Sequence, residues 1–556
     1  MSKKKKKNTY TAVTKAKTVS SIKKQNTLEY ILVNLICLFV FIAFGYIAIM
    51  SFFKTCTLDQ AHYKTELILY NSDNLVLNTF FTVLFTVFIF KMKRHYDFFA
   101  KINLKYMEIG LVAFTIILGL IWVLSVASIP AADSYNVFEA ATGAATGNYT
   151  PFTNSGSNYN SAYYNMYSYF NFYPFQLGFV FICEIIYRIF GTSTAMPVEI
   201  INVMCVGIAY LGIAKITRVL FKKRSIEFIA ILLLAGCFQP IFFTAFAYGN
   251  IIGMCCAIWA SYLLIRYFQT SKYVLLIPCA VLLILATLAK YNNMIYLVAF
   301  AVMLIIHTIK EKKWQSIAFA LALCIATVGV NNLIIMSYEA RANVKFSNGV
   351  SQTLYLDMGI NESYMAPGWY NGIALETYKN ANLNDELASS MAWNDINYRL
   401  DVFGNDLNYT VDFFGKKIIS QWLEPTFESI WVSEVKQHYY DINGIGKAIY
   451  DGSTGQFFEL YFNFYTQILY ILFAAGIYLL FIRKKSNIET VLLPLVILGG
   501  FGYHLLFEGK SQYILTYIIL LIPTASYAMN IILNGKYTKI KELVAKLKEI
   551  PQKENA

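Results

Sequence analysis

The sequence predicts an all-α polytopic membrane protein with about 12 transmembrane helices, interfacial helices on the outer face and a mostly helical outer domain. Of the 556 residues, 57% are hydrophobic and only 14% are charged, and the mean hydropathy is +0.48. Soluble domains carry about 25% charged residues. Apolar runs long enough to cross a bilayer recur along the chain. This composition excludes a water-soluble enzyme, a disordered scaffold and a disulfide-rich secreted module.

The basic residues indicate membrane topology. The formal net charge is +13, and nine of the 46 Lys and Arg residues lie in the first 24 positions. Most of the others lie in short gaps between apolar runs, which is the positive-inside pattern of a multi-pass protein. The expected partner is therefore the lipid bilayer, and no nucleic acid is expected. No CxxC pair occurs, which argues against structural zinc.

The apolar runs place the spans in order along the chain. Alternating them puts the basic gaps and both termini in the cytoplasm. The predicted spans cover about residues 30–53, 74–92, 107–129, 197–220, 226–246, 250–268, 273–289, 294–309, 315–337, 462–482, 489–507 and 513–533.

The segment from Pro174 to Phe190 tests this topology, because it is apolar enough to be counted as a further span. It carries Glu184 and Arg188 at i,i+4, and a span here would reverse the side of the basic gap after residue 220. An interfacial helix beneath the outer leaflet fits the charges better, and it keeps the basic gap after residue 220 on the cytoplasmic side. A further span is the alternative.

Two polar regions are predicted on the outer side. The first is the loop 130–196, rich in Tyr, Asn, Ser and Gly, and the second is 338–460, with 16 acidic and 8 basic residues. Helical patterns appear near 383–400 and 407–422. The predicted divisions are a cytoplasmic tail 1–29, two extra spans in 30–106, a core 107–337, an outer domain 338–460, three spans in 461–533 and a cytoplasmic tail 534–556.

Asp133 is the first candidate for chemistry. It follows the third predicted span in PAADSYNVFEAA, with Glu139 in the same short helical pattern. A carboxylate at a membrane surface can act on a substrate proton. The structural alternative is that Asp133 or Ser134 caps the helix that begins there.

Two further outer turns carry ionisable residues. Glu508, Lys510, Gln512 and Tyr513 join the last two predicted spans, and such groups at the membrane edge indicate function unless they form a solvated turn. Lys290 precedes Asn292 and Asn293, and a phosphate or a neighbouring carboxylate would explain an outer lysine. Asn250 lies in a third, weaker turn. The spans carry few charges, which favours chemistry at the outer interface over transport through the bundle.

Several segments resemble the GT-C superfamily of integral-membrane glycosyltransferases, in particular bacterial protein-mannosyltransferase-like and aminoarabinose-transferase-like enzymes. The resemblance covers about residues 107–533, so the first two spans look like an addition. It is carried by AADSYNVFEAA, FYPFQLGFVF, LAKYNN, MGINESYMAPGWYN, QWLEPTFESIW and EGKSQY.

The resemblance implies transfer of a sugar, with inversion, from a polyprenyl-phosphate-linked donor to a cell-envelope acceptor: a teichoic acid, a polysaccharide or a protein. Asp133 would be the catalytic base, and Lys290 and Lys510 match positions that hold the lipid phosphate. Glu508, Gln512 and Tyr513 would orient Lys510 or bind sugar hydroxyls, and Tyr173 could stack on a sugar. The implied location is a bacterial plasma membrane, with the active site outside.

The sequence departs from its relatives in ways that bear on metal binding. Ser134 follows Asp133 where many relatives have a second acidic residue, and Asn250 stands where metal-dependent members have a carboxylate. No cofactor is therefore expected, and a divalent metal is the alternative. Two other functions stay open, a lipid-linked saccharide flippase or exporter and a non-catalytic envelope-assembly protein.

Overall fold

The structure is a computed structural model of the chain, and it describes residues 27–59, 65–94, 101, 103–153, 167–435, 442 and 444–534. Most of the predicted tail 1–29, nearly all of the predicted tail 534–556 and part of the Tyr-rich loop lie outside the described residues. In this part of the chain the prediction of an all-α polytopic membrane protein is confirmed, with one small exception at the N-terminus.

That exception is a β-hairpin between the first two helices. Helix α1 (Thr27–Phe53) and helix α2 (Leu75–Arg94) are joined by antiparallel strands β1 (Lys54–Leu58) and β2 (Ile68–Ser72). The alternating Thr, Ile and Tyr side chains suit a strand pair. The Cys56 N–H donates to the Leu423 carbonyl (3.0 Å) and the Ile68 N–H to the Met365 carbonyl (3.0 Å). The hairpin is thus tied to a region more than 290 residues further along the chain.

The next segment leads from a span to two short helices. Its elements are α3 (Leu104–Val126), α4 (Asp133–Thr146), a 3-10 turn (Thr150–Phe152), α5 (Tyr169–Phe172), a 3-10 turn (Pro174–Gln176) and α6 (Leu177–Phe190). Helix α6 has 14 residues, about 21 Å, which is too short to cross a bilayer core of about 30 Å. Its Glu184 accepts hydrogen bonds from Arg188 (2.8 Å) and Arg341 (2.8 Å). These features favour the interfacial helix over the span.

Six further apolar segments follow, one of them bent and one shorter than the others. Their elements are α7 (Met196–Phe221), α8 (Arg224–Ala235), α9 (Gln239–Phe242), a 3-10 turn (Phe243–Ala245), α10 (Asn250–Thr270), a 3-10 turn (Tyr273–Leu275), α11 (Leu276–Ala289), a 3-10 turn (Tyr291–Asn293), α12 (Met294–Glu311) and α13 (Gln315–Ala342). Helix α7 is more polar than expected of a span, because Glu199 accepts from Ser128 (3.1 Å) and Lys215 pairs with Glu108 of α3 (2.8 Å).

Residues 343–452 are here called the loop domain, and the part of them that the structure describes is mostly helical, as predicted. The helices are α14 (Gln352–Ile360), α15 (Ile373–Asn380), α16 (Asp385–Asn405), α17 (Leu407–Trp422), α18 (Trp431–Glu434) and α19 (Gly444–Tyr450). The two predicted helical patterns correspond to α16 and α17. Asn384 and Asp406 begin these helices by accepting hydrogen bonds from the Leu387 N–H (3.0 Å) and the Tyr409 N–H (2.9 Å).

The chain ends in three crossings. Their elements are α20 (Ser453–Ile482), α21 (Ile488–Leu506), α22 (Ser511–Ile518), a 3-10 turn (Ile519–Leu521) and α23 (Ile522–Asn534). The described residues contain ten spans by length and composition, or 11 if α8 and the bent segment after it form one. The remaining predicted span, 273–289, is the shorter apolar helix Tyr273–Ala289.

Candidate active site

A cavity of about 810 Å³ lies where the loop domain meets the ends of the spans. Its wall combines the segments before α4 and α6, the turns before α10 and α12, part of α14 and the turn between α21 and α22. Eight predicted site residues from distant parts of the chain line it: Asp133, Tyr173, Lys290, Asn292, Glu508, Lys510, Gln512 and Tyr513.

Asp133 is the first residue of α4 and faces this cavity. The residue before it, Ala132, has φ 51° and ψ −131° and offers no side-chain cap. The interpretation of Asp133 as the helix cap is therefore wrong. Ser134 does accept a backbone hydrogen bond where the helix begins: its hydroxyl accepts from the Ala131 N–H (3.1 Å) and donates to the Ala131 carbonyl (2.8 Å). A positive φ at a non-glycine residue costs of the order of 1–3 kcal/mol, and such strain is concentrated at functional sites.

Tyr248 lies beside Asp133. Its hydroxyl accepts a hydrogen bond from Gln176. Burial raises the pKa of Tyr248 well above its ordinary value, and the negative charge of Asp133 raises it further. The Tyr248 hydroxyl therefore stays protonated and can donate a hydrogen bond to a carboxylate or to a sugar oxygen.

Gly249 allows the turn that carries Tyr248 to contact the end of α11. A Cβ at this position would lie 1.7 Å from the Ala289 carbonyl oxygen. This backbone contact places Tyr248 next to Lys290, whose Nζ lies 4.2 Å from the centre of the Tyr248 ring. A cation over an aromatic face is stabilised by the ring quadrupole.

Lys290 is the cavity cation that forms no ion pair with a carboxylate among the described residues. Its ammonium lies near the rings of Tyr248 (4.2 Å) and Tyr513 (5.8 Å). Burial lowers the pKa of Lys290 to about 8, although Asp133 and Glu508 act in the opposite direction. An ammonium that forms no ion pair with a carboxylate is available to an anionic ligand.

Lys510, by contrast, is already paired. Its ammonium contacts the carboxylate of Glu66, which lies between β1 and β2. Burial lowers the pKa of Lys510, but the carboxylates of Glu66, Glu428 and Glu508 raise it above its ordinary value. Lys510 therefore stays charged and is held in place by acids of this chain.

Two acids near Lys510 are not predicted from the sequence: Glu66, which lines the cavity, and Glu428, whose charge acts on Lys510. Glu428 is fully buried, its Oε1 accepts from the Ser511 hydroxyl (2.9 Å), and burial raises its pKa to about 8. Its φ is 57° and that of Phe427 is 51°, so the backbone is strained there as it is beside Asp133. A signal for Glu66 was available, because it lies between the first two spans on the same predicted side as Asp133.

Glu508 lies in a turn that the loop domain holds. Burial raises its pKa, and the charges of Lys510 and Lys290 oppose that shift. The neighbouring His504 Nδ1 contacts the Glu508 backbone carbonyl (3.0 Å) and not the carboxylate. Lys417 of α17 donates to the carbonyls of Phe507 (2.8 Å) and Gly359.

Three predicted residues lie away from the cavity wall. Asn293 donates from Nδ2 to the carbonyls of Ala286 (2.9 Å) and Lys290 (3.1 Å), so it holds the turn that positions Lys290. Asn250 is buried at the start of α10. Glu139 lies six residues beyond Asp133 on α4, where its charge acts on Tyr135.

The fold and the cavity define a class of protein. It is a polytopic membrane protein whose loop domain closes a cavity at the span ends, with a carboxylate, a buried tyrosine and two lysines in the wall. Such a site can bind an anionic group and accept a proton in the same place.

The family match agrees with this class. Residues 176–335 match the family of dolichyl-phosphate-mannose-protein mannosyltransferases. The matched segment contains Tyr248 and Lys290, and it lies between Asp133 and Glu508 in the sequence. This match confirms the predicted resemblance to membrane glycosyltransferases over residues 176–335.

Two solved structures are similar at low identity. One is the archaeal oligosaccharyltransferase AglB from Archaeoglobus fulgidus in complex with an inhibitory peptide and a dolichol-phosphate (14% identity, TM-score 0.40, 81% of this chain and 53% of that chain). The other is the Archaeoglobus fulgidus oligosaccharyltransferase in complex with Zn and sulfate (14%, 0.40, 80% and 51%). The chain thus spans about half the length of these structures. No curated protein matches the sequence.

Proposed function

We propose that this protein is a membrane glycosyltransferase that moves a sugar from a polyprenyl-phosphate-linked donor to a hydroxyl of a cell-envelope acceptor, with inversion at the anomeric carbon. The acceptor is a teichoic acid, a polysaccharide or a protein. The observation that carries the proposal is the shared cavity of Asp133 and the unpaired Lys290. A base for the acceptor and a cation for the leaving phosphate are the two groups that this reaction needs.

Asp133 acts as the general base. It removes the proton of the acceptor hydroxyl as the oxygen forms its bond to the anomeric carbon. The bond from that carbon to the phosphate oxygen breaks, and the polyprenyl phosphate leaves with the electron pair. The hydroxyl of Tyr248, beside Asp133, orients the carboxylate or the incoming sugar.

Lys290 stabilises the leaving phosphate. It has no carboxylate partner among the described residues, whereas Lys510 is neutralised by Glu66. The charge that develops on the phosphate in the transition state is therefore offset mainly by Lys290. Lys510 fixes the turn that carries Glu508, Gln512 and Tyr513. Tyr173, which also lines the cavity, offers a ring for sugar stacking.

The cavity opens on the side of the loop domain, which by the positive-inside rule is the outer side of a bacterial plasma membrane. A polyprenyl phosphate lying in the bilayer reaches this side at the span ends. The cytoplasmic location of both termini follows from the same rule.

We also propose that no divalent metal is required. Next to Asp133 the wall offers the hydroxyl of Tyr248 and the amide of Gln176, whereas hard cations take several carboxylate or carbonyl oxygens. The lysines supply the positive charge instead. Transfer that persists after dialysis against EDTA would support this part of the proposal, and loss that Mg²⁺ or Mn²⁺ restores would contradict it.

The test of the function compares the wild type with Asp133→Asn in matched membranes. Extracted polyprenyl-phosphate sugars carrying a radiolabel are the donors, and incorporation into envelope polymer is measured. Asn keeps the size of the side chain but accepts no proton, so transfer should fall about 10²–10⁴-fold. Glu139→Gln is the matched control on the same helix and should retain activity. Equal transfer by Asp133→Asn and the wild type would remove Asp133 as the base.

A further inference from the structure

A second cavity, of about 630 Å³, lies at the other end of the helix bundle. It is formed by the start of α3, the end of α7, the start of α8 and the end of α10. Six of its lining residues are cationic: Lys105, Arg218, Lys222, Lys223, Arg224 and Arg266. We call it the basic pocket.

The basic pocket lies across the membrane from the candidate active site. Helix α3 begins at the basic pocket with Leu104 and ends at Val126, shortly before Asp133. Helix α10 begins at Asn250, two residues after Tyr248, and ends at Thr270, one turn past Arg266. A helix of 21 residues is about 32 Å long, close to the thickness of the hydrocarbon core.

The acids near the basic pocket are already engaged. Glu227, the carboxylate in its wall, accepts from Arg218 Nε (2.8 Å), and Glu108 accepts from Arg218 Nη2 (3.1 Å). Glu108 also pairs with Lys215 (2.8 Å). One arginine therefore satisfies the local acids, and the other cations give the wall a net positive charge. Lys222 additionally faces Glu489 of α21.

Arg266 distinguishes this pocket from a solvated basic surface. Its Nε is buried and has no hydrogen-bond acceptor in the described residues. A buried guanidinium N–H without an acceptor is costly, and a phosphate oxygen is the acceptor that its planar fork fits best. A basic surface that only reflects membrane topology would consist of exposed, hydrated cations. It would contain no buried N–H group without a hydrogen-bond acceptor.

We propose that the basic pocket is a phosphate-binding site on the membrane face opposite the active site. Its ligand is a phosphate ester, carried either by an anionic phospholipid headgroup or by a soluble molecule. Arg266 supplies the fork, and Lys222 and Lys223 at the junction of α7 and α8 supply point charges. This site is separate from the proposed transfer reaction and does not depend on it.

The test uses the full chain in detergent micelles. Lys223→Gln/Arg266→Gln removes two charges from the basic pocket, and Lys272→Gln/Lys485→Gln removes two exposed charges that do not line it. Native mass spectrometry measures retention of phosphatidylglycerol against phosphatidylcholine, and calorimetry measures binding of inorganic pyrophosphate. Size-exclusion profiles establish that both variants are folded.

A loss of at least fivefold in phosphatidylglycerol retention, in the pocket variant alone, supports the lipid source. The same loss in pyrophosphate affinity without a lipid preference supports the soluble source. Equal binding by both variants overturns the proposal. If the pocket variant does not fold, the wild type decides: no preference for phosphatidylglycerol and no pyrophosphate binding also overturns it.

Discussion

The carboxylate of Glu66 pairs with the ammonium of Lys510, although 444 residues separate them in the sequence. The pair connects the hairpin between α1 and α2 with the turn between α21 and α22. Two helices that look like an N-terminal addition therefore supply a charged group to the cavity wall. The pair also explains why the charge of Lys510 is neutralised while that of Lys290 is not, since Lys290 has no such partner among the described residues.

The Glu66–Lys510 pair should show strong energetic coupling. The two side chains are only 13% and 11% exposed, and removing one partner of a buried pair costs about 3–5 kcal/mol because the other charge is left unpaired. Glu66→Gln and Lys510→Met should each lower the apparent melting temperature more than the double variant does. Thermal unfolding in one detergent measures all four proteins of the cycle. Additive shifts would mean that the pair is not formed.

The pH dependence of transfer should identify Lys290. Burial lowers its pKa to about 8, so the ammonium loses its proton as the pH rises through about 8. The kcat/KM should then fall on the alkaline side with that apparent pKa. Lys290→Arg should move this limb to higher pH, because a guanidinium stays charged, and Lys290→Met should be slow at every pH.

A pH series of initial rates at low donor concentration measures this effect. The same alkaline limb in Lys290→Arg and in the wild type would assign the titration to another group. Lys345→Arg serves as the control, because this exposed lysine pairs with Glu339 and does not line the cavity.

The spans, and the grouping of their turns at one end of the bundle, are predictable from the sequence, while the long-range contacts are not. Apolar runs define the spans, and alternation of the spans predicts that Asp133, Lys290 and Lys510 lie on one face, as their shared cavity shows. The number of preceding spans gives the side of the membrane on which a residue lies, but not its burial or its partners. The sequence therefore does not distinguish Asn292, which lines the cavity, from Asn293, which donates to a backbone carbonyl.

The cap assignment at Asp133 failed for a local reason. The preference of Asp for the N-cap position cannot reveal that Ala132 occupies this position, in a conformation with positive φ. The pairing of Glu66 with Lys510 depends on how the hairpin packs against the loop domain. That packing cannot be predicted from a short sequence motif.

Gly249→Ala should disrupt the site through a steric effect. The added Cβ would lie 1.7 Å from the Ala289 carbonyl oxygen, so the turn with Tyr248 must move away from Lys290. We expect transfer to fall at least tenfold, consistent with the cost of misplaced catalytic groups. Gly404→Ala is the matched control, since no atom lies within 4 Å of the new Cβ and Ala favours the helix. Equal activity in both variants would show that the contact is not needed.

The free energy of unfolding should depend on pH through the buried Lys417. Its side chain is fully buried, and it donates to the carbonyls of Gly359 and Phe507, next to Glu508. Burial lowers the pKa of Lys417 from 10.5 to about 7. Between these values the folded chain holds a neutral amine while the unfolded chain is protonated. Unfolding then takes up a proton, so the free energy of unfolding rises with pH.

Lys417→Met removes this contribution and leaves two carbonyls without their donor, so the variant should be less stable and less active than the wild type at pH 9. The stability difference should grow by up to roughly 2–3 kcal/mol from pH 7 to pH 9. Lys416→Met is the matched control, because the neighbouring lysine is 47% exposed and pairs with Asp412. Thermal unfolding of the three proteins at pH 7, 8 and 9 measures the trend. A constant difference between wild type and Lys417→Met would show that Lys417 keeps its proton in the folded state, with the two carbonyls accepting from an ammonium.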